Sequence, residues 1–538
     1  MRYAVRAVGG HQGRRGMCDE EARIAETLRG HPGARDAAVF ADGDIIRIFV
    51  VPDDGYLDDE LGRKAASELV LQKWRKTFDL SQLAKGAESA TVGLNTLGWN
   101  SSYTLQPIPE EEMREWVERS VENILSVSPC RVYEAGCGTG MLALRLAPHC
   151  ERYTASDFAP AVLSRFRAQL VTLPALDGRV EILERRADDF AGLERNCFDT
   201  FLLNSVTQHF PNLSYLTKVI AGAVGVVKPG GRLLIGDIRS LQLLPVFACS
   251  VEAFQAAPET RMDELRARIR RRIERETQLV ISPAYFLALR SAFPAISRVE
   301  IVPLRGRARN EMTHFRYDAI LHVGAAEDDS IAMEFTDWSE AQGGLDEIRS
   351  FACSHPGQAI GIEAIRNARI AGDVRTLVSL ENGAADCSVK QLREEVRTSA
   401  AQGIDPQALL DMQDEIRDCA VFLSWAACRR DGSYDAAIVP RSMLREGQRP
   451  AIDWPRPDAA EFVRIATAPG QQAVRKELED RLTAYCVQNL PATAGRIAIE
   501  LVDALPRAAD VLAPGDLRIR RHHARLDGAS VARPSPQG

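Results

Sequence analysis

The sequence predicts an α/β protein built on a doubly wound, mainly parallel sheet, with small α+β pieces at its two ends. Three observations predict it. From Arg131 to about Gly324, short strand candidates (RVYEA, RYTAS, RVEILE, FDTFLLN, RLLIGDI) alternate with helical stretches, the pattern of parallel strands covered by helices on both faces. A glycine triplet, Gly136, Gly138 and Gly140, follows the first of these strands, where such sheets meet their ligands. Both ends of the chain carry small strand-and-helix groups of another rhythm.

In order along the chain, EEARIAETLRGHP reads as a helix, and DAAVFA and IIRIFVVP read as strands joined by the turn residues DGD. EEEMREWVERSVENILS (110–126) places Met113, Trp116, Val117, Val121, Ile124 and Leu125 on one helical face. The alternating region follows, closed by RVEIVPL and YDAILHV as an antiparallel addition. Residues 335–440 alternate less regularly around GQAIGIEAI and DCAVFLSWAA. A helix (QAVRKELEDRLTAYCVQN) and a strand (RIAIELVDALP) precede a tail expected to be disordered from about residue 527. The expected divisions are 1–85, 86–325, 326–450, 451–526 and the tail 527–538.

Composition narrows the function. The 538 residues are 45% hydrophobic, enough for several cores, and the formal charge of −7 argues against nucleic acid as a partner. The eleven cysteines show neither a CxxC nor a paired spacing with histidine, so neither a zinc site nor a disulfide framework is expected. The longest apolar run, near VIAGAVGVV, is too short to span a bilayer, and the N-terminus lacks a signal-peptide core. The expectation is a cytoplasmic protein with no membrane partner.

The glycine spacing is GxGxG after Glu134, neither the GxGxxG dinucleotide fingerprint nor a phosphate loop with its Lys-Ser/Thr, so the ligand should lack a pyrophosphate. Asp157 ends the second strand, where a carboxylate can accept hydrogen bonds from both ribose hydroxyls. Asp188 and Asp189 follow the third strand, in a position suited to an adenine amine. Cys137 in the glycine loop, Phe158 beside Asp157, and Asn204 at the end of the fourth strand complete the expected cofactor set. A ligand with an adenosine, a positive charge and no phosphates is S-adenosylmethionine.

GWNSSYTLQPIPEEEMREW (98–116), EAGCGTG, APHCERYTASDFAP, RADDFAGLE, FDTFLLNSVTQHFP, GDIRSL and GRARNEMTHFRYDAILHVG (306–324) resemble the methyltransferase domains embedded in nonribosomal peptide synthetases, over about residues 90–325. The resemblance implies a class I Rossmann-like, S-adenosylmethionine-dependent methyltransferase interrupting the C-terminal subdomain of an adenylation domain. The flanks are similar to the two halves of that subdomain, and the segment with IRNARIA (365–371) resembles the spacer that follows such methyltransferases. The departures are a missing adenylation core with no TSGTTGxPKG-type loop, a hinge reduced to VRAVGGHQGRRGMCDEE, LPATAG in place of LPxYMxP, and no lysine after Lys476. The expectation is a freestanding methyltransferase on a retained scaffold that does not adenylate.

Methyl transfer is an in-line displacement, so placement of the nucleophile supplies most of the rate. An α-amine, with a reference pKa of roughly 7.7 to 8.0, needs no strong base. His209 in NSVTQHFP stands where the family more often has tyrosine, and is a candidate base; Glu311 is a candidate to orient an amine. Tyr103, Asp237, Arg239 and Arg316, in other family-like stretches, are candidates to border the same cleft. In RARIRRRIERE (266–276), Leu265, Ile269 and Ile273 recur every fourth position, the mark of an amphipathic helix with a solvated face. The resemblance implies N-methylation of an amino-acid-derived or peptide intermediate, free or carrier-protein-bound, with a synthetase or carrier protein as partner. O-methylation of a hydroxyl or carboxylate, and a non-catalytic docking module, are the alternatives.

Overall fold

A computed structural model describes residues 14–501, apart from segments at 43–44, 54, 57–62, 84–92, 97, 325–329, 340–342, 384–386, 399–402, 417, 446–448, 457–464 and 494. The expected disordered tail and most of the reduced hinge lie outside the described residues. Contacts divide the chain into two units, Met1–Ala65 with Ala473–Gly538, and Ala66–Gln472. The sequence reading placed boundaries at 85/86, 325/326 and 450/451; the contacts instead put most of the helix Arg63–Leu83, and all of 326–450, in the unit that holds the large sheet.

In the first unit the helix Arg14–Arg29 is followed by β1 (Ala34–Asp42) and β2 (Ile45–Pro52), an antiparallel pair. The strand Ile497–Leu501 adds to β2 in parallel, so distant parts of the chain share one three-stranded sheet. Period-two burial fits its sequence, with Ile46 and Ile48 inside while Ile45 and Arg47 are exposed.

The second unit is built on a seven-stranded sheet of β3 (Arg131–Ala135), β4 (Arg152–Asp157), β5 (Val180–Glu184), β6 (Phe198–Asn204), β7 (Val227–Arg239), β8 (Ile296–Pro303) and β9 (Arg316–Val323). Their spatial order is β5-β4-β3-β6-β7-β9-β8, and β9 alone runs against its neighbours. Alternate residues supply two cores. Tyr133, Phe201, Leu203, Leu233 and Ile235 enter one; Val132, Leu202, Leu234 and Ile320 enter the other. Such near-continuous apolar strands are what a sheet covered on both faces requires. The strand order reverses between β3 and β6, and at that switch a crevice opens beyond the carboxyl ends of the strands.

Residues 335–440 form a four-stranded sheet of Phe335–Asp337, Ile360–Ile365, Tyr434–Pro440 and Cys419–Ser424. Ile362, Ile365 and Tyr434 join the same core as Phe201, and the Trp425 N–H donates to the Ile301 carbonyl of β8 at 3.0 Å. Among the described residues no helix is long and apolar enough to cross a membrane.

Candidate active site

A cavity of about 550 Å³ lies at the switch point, within the range of pockets for small ligands. Its first wall is the loop after β3. Gly138 has φ +57, and nothing lies within 4 Å of where a Cβ would stand, so the main chain borders the cavity with no side chain between. Its N–H donates to Asp157 Oδ2 at 3.1 Å, and Asp157 Oδ1 accepts the Ala159 N–H at 3.0 Å, at the start of the helix Pro160–Val171. Burial raises the Asp157 carboxyl and the amide N–H groups of Ala159 and Gly138 oppose it. Glu134 is buried, accepts the Tyr153 hydroxyl at 2.9 Å, and is pushed up to about 7 by desolvation.

Of the residues expected to bind a cofactor, Glu134, Gly136, Cys137, Gly138, Asp157, Phe158 and Asn204 line this cavity. Gly140 does not: at φ +86, a Cβ there would run into the Phe166 ring, so this glycine serves packing. Asp188 and Asp189 are likewise not among the residues lining the cavity. Asp188 accepts the Tyr215 hydroxyl at 2.8 Å and Lys218 Nζ at 2.6 Å. Burial works to raise its pKa, but those bonds and the Arg186 guanidinium outweigh it and hold the carboxylate below its usual range. Asp189 is exposed and accepts the Ala191 N–H at 3.0 Å. In their place Arg185, Arg186 and Ala187 border the cavity.

The acceptor candidates divide in the same way. His209, Arg239, Glu311 and Arg316 line the cavity. Tyr103 and Asp237 stand behind it. The Tyr103 hydroxyl is 2.8 Å from Ser250 Oγ, and burial pushes its pKa well up. Asp237 sits in a bulge of β7 at φ +60, donates its N–H to Asp318 Oδ1 at 2.9 Å, and accepts Arg316 at 2.7 Å. It therefore positions Arg316, which lines the cavity. Arg239 is held by Glu276 at 2.7 Å and Gln278 at 2.8 Å.

His209 stands among aromatic rings. Its ring packs on Trp74 with centroids 4.1 Å apart and meets the edge of Phe78 at 5.2 Å. Burial, helped by Arg316 and Arg239, pulls its pKa down to about 3. The imidazole is neutral, and a group whose conjugate acid is that strong is a weak proton acceptor. Glu311 opens the short helix Glu311–Phe315, capped by the Asn310 side chain, and accepts the Ser102 N–H at 2.7 Å and the Ser102 hydroxyl at 2.9 Å. This contact joins GWNSSYT to NEMTHF across 209 positions.

Sequence reasoning missed several contributors. Trp74 and Phe78 come from the helix Arg63–Leu83, where Val70, Leu71, Trp74 and Phe78 form an i, i+4 apolar stripe that could have been read. Gln208, beside His209, also lines the cavity. The basic helix Met262–Glu274 buries Leu265 and Ile269 and pairs Arg268 and Arg272 with Glu252; Arg272 and, beyond the helix, Glu276 reach the cavity.

Residues 133–235 match a family model described as a methyltransferase domain. The chondramide synthase cmdD of Chondromyces crocatus is 35% identical over 496 residues, 88% of this chain and 12% of that protein. The cyclosporin synthetase simA of Tolypocladium inflatum is 33% identical over 272 residues, 49% of this chain and 2% of that protein. The nonribosomal peptide synthetase TES of Alternaria alternata is 26% identical over 528 residues, 91% and 10% respectively. The chain thus spans a small part of the length of the curated relatives it matches. Among solved structures, the N-methyltransferase NodS of Bradyrhizobium japonicum with S-adenosyl-L-homocysteine gives a TM-score of 0.27 at 18% identity, over 42% of this chain and 99% of that one. The chain carries a Rossmann-like methyltransferase domain whose methyl donor is S-adenosylmethionine, and it is homologous to nonribosomal peptide synthetases over much of its length. The open main chain at Gly138, the carboxylate of Asp157 and the size of the cavity fit that donor.

Proposed function

We propose that this chain methylates the amine of an aminoacyl or peptidyl intermediate of nonribosomal peptide assembly, presented on a carrier protein. The observation that carries the reading is that one cavity is bordered both by Gly138 and Asp157 and by Glu311 and Arg316. The similarity to synthetases supports the substrate class. The donor brings a methyl group on a sulfonium, and the residues around it bind and orient. Gly138 and Asp157 hold the nucleoside side, and Glu134, with a carboxyl near neutrality, favours a cationic ligand as it ionises.

On the acceptor side Glu311, fixed by two bonds from Ser102, offers a carboxylate to an amine. Arg316, braced by Asp237, offers a donor to an acyl oxygen. His209 and the rings of Trp74 and Phe78 form an apolar wall that excludes water. The weak basicity of His209 favours nitrogen over a hydroxyl, because an amine loses its proton to water near neutral pH and a hydroxyl needs a base in the transition state. The flanking unit, Met1–Ala65 with Ala473–Gly538, is read as the two halves of an adenylation-type subdomain retained as scaffold. The test is incubation with methyl-labelled donor and carrier-bound aminoacyl thioesters. Label on nitrogen is expected; label only on oxygen would reject the assignment.

A further inference from the structure

The loop after β6 carries a buried polar atom that the protein leaves unmatched. Gln208 is 5% exposed. Its side-chain nitrogen donates to the carbonyl oxygen and to the hydroxyl of Ser205, both at 3.0 Å, and its backbone carbonyl accepts the Leu279 N–H at 3.0 Å. Because a carbonyl oxygen can only accept, the amide cannot be turned round. Its oxygen Oε1 has no hydrogen-bond partner among the described residues, and Gln208 lines the cavity. Buried acceptors are nearly always matched by a donor, so a bound molecule with an N–H is the fitting occupant.

The neighbours place this atom at the acceptor end. His209, the next residue, lines the cavity together with Arg239, Phe247, Glu311 and Arg316. Two oxygen acceptors, Gln208 Oε1 and the Glu311 carboxylate, thus belong to residues that line one cavity.

We propose that Gln208 Oε1 accepts an N–H of the substrate amine and, with Glu311, restricts the site to primary amines and to one methyl per acceptor. The inference rests on nitrogen being the methyl acceptor. A neutral primary amine has two N–H groups and one lone pair. With one N–H on each oxygen, the lone pair is left facing the methyl carbon. As that lone pair forms the new C–N bond, the methyl carbon's bond to sulfur breaks with its electron pair staying on sulfur, and the ammonium product gives one proton to water. The neutral product keeps a single N–H. It cannot satisfy both oxygens with its lone pair aimed for a second transfer, and one buried acceptor would go unmatched.

Binding by the full chain tests this without turnover. Calorimetric titrations with the proteinogenic L-aminoacyl amides, with S-adenosylhomocysteine present, identify a primary amine that binds, and its N-methyl derivative is then compared. The N-methyl form should bind at least about tenfold more weakly. Gln208→Met should close that gap to about twofold and leave the cofactor Kd within about twofold of the parent. Mass spectrometry of the unmodified enzyme with excess donor should find one added methyl. Equal binding of the two amines, a second methyl from the unmodified enzyme, or a Gln208→Met effect confined to the cofactor would overturn the inference. The absence of nitrogen methylation both in these amides and in the carrier-bound aminoacyl thioesters would instead defeat the nitrogen reading on which it rests.

Discussion

The two ends of the cavity differ in how their polar groups are settled. On the β3–β4 side they are matched within the protein: Asp157 holds the amides of Gly138 and Ala159, and Glu134 takes the Tyr153 hydroxyl. On the β6 side Asn204 Nδ2, Gln208 Oε1 and His209 Nδ1 are buried with no partner among the described residues. On the proposed reading one end is pre-organised for the donor, and at the other Gln208 Oε1 is completed by the acceptor. Preorganisation lowers the cost of binding a ligand common to every turnover, and unmatched groups give discrimination, because a wrong acceptor leaves them unmatched.

The largest expected effect breaks the pre-organised end. Asp157→Ala removes the carboxylate that orders Gly138 and that we propose binds the ribose, and should weaken S-adenosylmethionine by about 100-fold or more, read by titration calorimetry. Next comes the acceptor end, through a residue far from it in sequence. Arg369, in the IRNARIA segment, is 7% exposed and donates to the carbonyls of Leu304 (2.7 Å), Gly306 (2.6 Å) and Thr313 (3.1 Å), pinning the turn that presents Glu311. Arg369→Ala should lower kcat/KM for the acceptor by roughly 10- to 100-fold with the cofactor Kd unchanged. Equal damage to cofactor binding would show that the ends are not separable in this way.

What could be read from the chain follows the same division. The strands, the glycine loop and Asp157 were legible because they are local: a strand, a turn and a carboxylate in a fixed order. The partners of Asp188 were not legible, because Tyr215 and Lys218 come from the helix Leu213–Val226 and no spacing reveals that they hold it. Trp74 and Phe78 were missed because their helix precedes a polar stretch that looked like a boundary. Glu311 was found through its motif, but its anchor Ser102 and the role of Arg369 appear only when segments far apart in sequence meet.

Two smaller effects sharpen the comparison. Gly140→Ala should lower stability by about 1 to 3 kcal/mol by pushing on Phe166, seen as a lower melting temperature. Gly138→Ala meets no atoms, and should keep the melting temperature nearer the parent while losing cofactor. The smallest concerns His209. Folding lowers its pKa from 6.5 to about 3, so between these values the unfolded chain binds the extra proton. Stability is full above the unfolded value and falls as pH drops from 6.5 toward 3, by about 1.4 kcal/mol per unit for this group. His209→Phe should flatten that part of the stability–pH curve, by about 2 kcal/mol at pH 5, while turnover at pH 7.5 changes little. A large loss of turnover with an unchanged curve would restore the histidine as a base.

The central claim is that bare main chain at Gly138, ordered by Asp157, is where the methyl donor binds. Titrating S-adenosylmethionine into the parent protein and into Gly138→Val tests it most directly. The account predicts saturable binding by the parent and none by the variant at the same concentrations, with both folded by circular dichroism. Undiminished binding by Gly138→Val would contradict it.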